Sequence, residues 1–106
     1  MTASRLDLLT GIVKQDPGNL LARYGLAMEY AQQGDHDNAL ANFRALMVSN
    51  PDYVAAYYQA GRMLQKIGEL QRAREVFEQG IAACNRVGDL HARSEMEAAL
   101  GEFSGS

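Results

Sequence analysis

The strongest constraint on this chain is a period. Residues 20–87 read as one 34-residue unit written twice. Shifted by 34, Ala22 falls on Ala56, Tyr24 on Tyr58, Gly34 on Gly68, Ala39 on Ala73 and Phe43 on Phe77. Similar residues fill the gaps, with Ala27 on Gly61, Asp35 on Glu69 and Met47 on Ile81. A fixed period of about 20–50 residues marks a chain built from copies of one supersecondary unit, each burying its apolar face against a neighbour. At 106 residues the chain is close to three periods long, enough for every unit to find a neighbour within a single domain.

Within the period the apolar spacing is helical. Residues 4–15 predict a first helix with Leu6, Leu9 and Val13 on one face, Leu8 and Ile12 beside them, and Ser4 as its cap. Asp16-Pro17-Gly18-Asn19 ends it, because a residue before proline avoids the helical region. Pro17 stands 34 residues before Pro51, so this helix takes the slot of the second helix of a preceding unit, whose first helix is missing. Residues 20–33 predict a second helix, with the stripe Leu26, Ala27 and Tyr30, broken at Gly34-Asp35. Asp35 or Asp37 then caps a third helix over 37–49, where Ala39, Leu40, Phe43, Leu46 and Met47 give a strong amphipathic signal.

Asn50-Pro51-Asp52 closes that unit, and the pattern starts again. Residues 53–67 form the fourth helix, with Tyr57, Ala60, Gly61, Leu64 and Ile67 inward, and Gly68-Glu69 breaks it. Residues 70–87 form the fifth, with Ala73, Val76, Phe77, Gly80, Ile81 and Cys84 on one stripe. Gly88 stops it, and Asp89 caps a sixth helix over 90–103 carrying Ala92, Met96, Ala99, Leu100 and Phe103. Here the register slips by about one residue, which puts Met96 rather than Glu95 at the inter-helix contact. The sixth helix therefore reads as a solvating cap, followed by a frayed tail at residues 104–106. No useful stretch alternates with period 2, so a β reading fails.

Composition narrows the function classes. The net charge is -3 and the lysines and arginines are scattered, apart from Arg72 and Arg74. Neither a nucleic-acid footprint nor a polybasic membrane patch is expected. Residues 1–14 do not make a secretory signal, since Asp7 interrupts the apolar stretch, and no apolar run approaches the length of a transmembrane helix. Cys84 stands alone and cannot form an internal disulfide, which points to a reducing, cytoplasmic setting. On the core stripe it reads as a small hydrophobe rather than a reactive thiol. His36 and His91 lack the third and fourth ligands that a zinc site needs. No nucleophile sits with a base at motif spacing and no phosphate loop occurs, so neither a cofactor nor an enzymatic activity is expected.

The period and its residues resemble the tetratricopeptide repeat (TPR) family, in particular its small bacterial-type domain proteins. The resemblance is close over residues 20–87 and holds by register over 4–19. Ala27 and Gly61 stand at the family's small positions on the first helix of each unit, opposite Ala39 and Ala73 on the second. Phe43 and Phe77 are the large residues that fill toward the next hairpin, and Tyr30 and Leu64 the large residues of the first helix. Arg23, Leu46 and Asn85 depart from the pattern and mark a divergent member. The resemblance implies an all-α fold, a right-handed superhelical stack of antiparallel helix hairpins forming an α-solenoid of about six helices. Its parts would be an N-terminal half-repeat helix (4–19), repeat 1 (20–53), repeat 2 (54–87) and a C-terminal capping helix (88–103).

The resemblance also implies a function, that of a protein-interaction scaffold holding a partner's peptide in a concave groove lined by the first helices. The residues expected there are Leu21, Tyr24, Met28 and Gln32, then Tyr58, Gln59, Arg62 and Lys66. They recur at helical spacing on a face distinct from the core stripe. Tyrosine supplies rigid apolar area with a polar tip, and Arg62 and Lys66, one turn apart, suit a carboxylate. The family's carboxylate clamp for chaperone tails is not expected, because Tyr24 and Met28 stand at the matching places. The alternative is a structural role, as a small homo-oligomer or a fragment of a longer array. In that case Leu8, Ile12 and Phe103 are the candidates for self-association, in a homodimer.

Overall fold

A computed structural model describes residues 4–104. It contains six α-helices and, among the described residues, no strand: α1 (Arg5–Gln15), α2 (Leu20–Gln32), α3 (His36–Ser49), α4 (Val54–Lys66), α5 (Leu70–Val87) and α6 (Leu90–Ser104). Of the tail expected to fray, Ser104 is the last residue of α6, and Gly105 and Ser106 lie outside the described residues.

The chain signals its own helix boundaries. Ser4 Oγ accepts from the Asp7 N–H at 3.1 Å and starts α1. Asn19 Oδ1 accepts from the Ala22 N–H at 3.0 Å and starts α2, a cap the periodicity did not single out. Of the two candidates for α3, Asp35 is the residue used, taking the Asn38 N–H at 3.3 Å. Asp89 takes the Ala92 N–H at 3.0 Å and starts α6. The first helix of each repeat ends in the same way. Gly34 and Gly68 adopt left-handed φ of 83° and 84°, and the N–H that follows each donates back to Tyr30 and Leu64 at 2.9 Å. Only glycine takes that conformation without steric cost, so the pair is a direct product of the 34-residue period.

The chain divides into two compact units, Met1–Ser49 and Asn50–Ser106. In the first, α1 packs on α2 and α2 on α3. Its buried residues are Ala22, Leu26, Ala27, Ala39, Leu40, Phe43 and Leu46, and α1 contributes none. Leu6, Leu9 and Val13 of α1 are only half-buried.

In the second unit, α4 packs on α5, and α6 packs on both. Small residues set how closely these helices meet. A Cβ on Gly61 would lie 2.5 Å from the Phe77 ring, and one on Gly80 would lie 2.5 Å from the Met96 sulfur. The atoms nearest to such a Cβ on Gly61 belong to the Phe77 ring. Met96 is fully buried and Glu95 exposed, which is the slipped register of α6. Ile67 was expected inward and is exposed, because it follows the last turn of α4 as its C-cap.

Arg86, near the end of α5, hydrogen-bonds Asp52 at 2.7 Å and the Pro51 carbonyl at 2.9 Å. The same carbonyl accepts from the Tyr57 hydroxyl at 2.7 Å. The Asn50-Pro51-Asp52 turn is thereby tied to α4 and α5.

Candidate functional site

The first unit carries an open cavity of about 660 Å³ between α1 and α2. Leu9 and Ile12 line it from α1, and Leu21, Tyr24, Gly25 and Met28 line it from α2, with Arg5 and Asn19 at its polar edge. Glycine at position 25 is what lets α1 come down here: a Cβ there would already press Leu9 at 3.3 Å. Leu21 is 74% exposed. Tyr24 is half-buried and meets Phe43 edge-on, with ring centroids 6.4 Å apart. That contact contributes about 0.5–1.5 kcal/mol beyond area burial and holds the ring in place. Arg5 spans the edge to Glu29 at 3.3 Å. The cavity wall is mostly apolar, with Arg5 and Asn19 as its polar residues. Gln32, expected on the same face, is exposed at the end of α2, away from the cavity lining.

The second unit repeats the aromatic pair. Tyr58 is half-buried, 6.4 Å from Phe77, which in turn lies 6.1 Å from Phe103. Gln59 is half-buried, and Arg62 and Lys66 are exposed. Arg62 and Lys66 were expected to await a ligand carboxylate, but Arg62 already has one. Its NH1 lies 3.4 Å from Glu102 of α6 and 2.9 Å from Gln65, while Gln65 holds the same carboxylate oxygen at 2.6 Å. Glu102 was not anticipated. It lies 40 residues from Arg62, and nothing in local spacing announces the pair.

Two of the three self-association candidates are on the surface and one is not. Leu8 is 58% and Ile12 44% exposed, whereas Phe103 is 8% exposed. The last turn of α6 carries Phe103 onto Phe77, and the Arg74 guanidinium covers its ring at 5.7 Å.

Cys84 is buried, and burial, with Asp89 nearby, pushes its thiol above the ordinary range. The hydrogen bond to Asp52 raises the pKa of Arg86 further and keeps that residue cationic. His91 faces Glu95 one turn on, at 3.0 Å. Among the described residues no three of His, Cys, Asp and Glu come together as metal ligands. None of the described helices is long and apolar enough to cross a membrane.

Comparison with known proteins agrees with this geometry. The tetratricopeptide repeat family profile matches residues 6–45 and 24–86. A TPR repeat-containing protein of Pseudomonas aeruginosa is 35% identical over 78 residues, 74% of either chain. The solution structure of a tetratricopeptide repeat domain protein from Salinibacter ruber superposes with a TM-score of 0.78 at 31% identity, covering 85% of this chain and 91% of that one. The TPR2B domain of yeast Sti1, solved in complex with pHsp70, superposes with a TM-score of 0.84, covering 94% of this chain and 80% of that one. Its 17% identity makes that likeness one of fold alone. Repeat period, helix caps, packing and relatives converge, and the chain belongs to the tetratricopeptide repeat family.

Proposed function

We propose that this chain binds a peptide segment of a partner protein on the first-helix faces of its repeats, with the α1–α2 cavity as the apolar anchor point. The TPR fold is a scaffold for protein–protein interaction. The observation that carries the finer reading is the cavity itself, with Leu21 exposed at its mouth and Tyr24 held rigid behind it. A preformed apolar hollow with a rigid aromatic in its wall suits one anchoring side chain of an incoming segment. Tyr58 and Gln59 of α4 offer a second contact surface, and Lys66 a cationic one. Residues 20–53 and 54–87 are the two repeats in this reading, with 4–19 and 88–103 flanking them. The chain acts as an interaction module and not as an enzyme, and its setting is cytoplasmic. The yeast domain found with pHsp70 supports a polypeptide as the class of ligand.

One short cavity buries little area, so affinity is moderate, about micromolar. Selection of a random peptide library against the purified chain, followed by fluorescence polarisation, tests the proposal. The expected result is a consensus with one large apolar anchor, bound at least about tenfold more weakly by Leu21→Glu and Met28→Glu variants that keep wild-type circular dichroism. Failure to enrich any consensus, or equal binding by the variants, overturns it.

A further inference from the structure

We infer that two copies of this chain pair through α1, antiparallel, about a twofold axis at the middle of that helix. This goes beyond peptide binding, and because Arg5 and Ile12 also border the α1–α2 cavity, a bound peptide and a second copy would compete for this side of α1. α1 has one row docked on α2 and a second row along the side of the helix that borders the cavity. The second row is Arg5, Leu8 and Ile12, at helical spacings, with Asp16 following as the C-cap of the helix. Leu8 and Ile12 are the apolar middle of that row, and both are exposed.

The order of chemistry along this row is what names the occupant. A cation stands at one end, an anion at the other, and two aliphatic residues between them, each two residues from Thr10 at the middle of the helix. An identical helix laid antiparallel on this row sets Leu8 against the second copy's Ile12 and brings Arg5 within one residue of register with the second copy's Asp16, an offset the long arginine side chain spans. A parallel copy would set like charge on like charge. The row is therefore complementary to itself in one orientation, as an isologous interface requires. Two further features fit. Nothing lies within 4 Å of where a Gly11 Cβ would be, so a second helix can approach closely beside Leu8 and Ile12. The Arg5 side chain, although paired with Glu29, remains 70% exposed and reaches the end of the row. An 11-residue helix is only about 16 Å long, so the pairing is weak and concentration-dependent.

Sedimentation velocity on the full chain, from roughly 10 μM to 1 mM, spans the range expected of so small an interface. The wild type is expected to pass from monomer to dimer, and Leu8→Glu to stay monomeric with unchanged circular dichroism. The decisive variants are Arg5→Glu and Asp16→Arg. Each alone sets two like-charge pairs across the twofold and weakens pairing on the order of tenfold. Mixed together they form a heterodimer whose ends are again opposite in charge, within about threefold of wild-type affinity. A loss of fold cannot produce that recovery. A wild type that stays monomeric at the highest concentration overturns the inference, whether a partner protein or another segment is what covers α1. A dimer that survives Leu8→Glu, or single variants that do not recover on mixing, overturns it as well.

Discussion

Gly61 has room for nothing larger than a hydrogen, because the Phe77 ring stands where a side chain would go. Gly61→Leu is expected to cost about 1–3 kcal/mol or more through overpacking. Gln59→Leu, two residues away and half-buried, should stay within about 0.5 kcal/mol of wild type. Urea unfolding of the two variants side by side measures the difference. Gly101 is the converse case, a helical glycine in α6 with nothing within 4 Å, and Gly101→Ala should raise stability by about 0.5–1 kcal/mol. Cys84 makes a pH-dependent contribution. Its folded pKa is raised from 9.0, so the unfolded chain gives up the proton first. The contribution is complete below the ordinary thiol range and declines as pH rises through the folded value. A Cys84→Ala variant should lose that alkaline slope relative to wild type. At this scale the sequence disclosed which positions are small, since the repeat marks them. It did not disclose how closely the Phe77 ring covers Gly61, because a spacing gives register and not the tilt of a ring. Nor could it pair Glu102 with Arg62, a meeting made by the fold across two helices.

The six helices were legible nearly to the residue, because each begins at a side chain able to accept a hydrogen bond or ends at glycine or before proline. A cap is worth measuring on its own. Asp89→Ala leaves the Ala92 N–H unsatisfied at the start of α6 and should cost about 0.5–2 kcal/mol, read as a lower melting temperature. What the caps do not reveal is how far an element reaches beyond its own packing. α5 runs 18 residues against the 14 of α3, and its last turn carries Arg86 to the Asn50-Pro51-Asp52 turn. α1 shows the opposite limit. Its two apolar rows were evident in the heptad-like spacing of leucine, isoleucine and valine. The row that faces α2 carries Leu9, whose side chain lies beside Gly25.

Taken as a molecule, the chain is two compact units with unequal cores. The first buries seven hydrophobic residues, none from α1, while the second buries residues on all three of its helices. Amide exchange should follow that inequality, with α1 exchanging first and the middle of α5 last, as native-state hydrogen-exchange mass spectrometry would show. The repeat family and its helical class were readable from the period, because a period is a property of the whole chain. The cavity was not, because it depends on how α1 docks beside Gly25, which spacing along the chain does not give. The Tyr24–Phe43 and Tyr58–Phe77 pairs have one further use. Their centroids are equally far apart, yet one pair lines an open hollow and the other leads into a third ring. The protein thus carries an internal replicate of a single contact. Truncating each tyrosine to leucine in turn removes a tyrosine–phenylalanine contact of the same centroid distance from two settings, and comparing the two losses shows how far the setting matters.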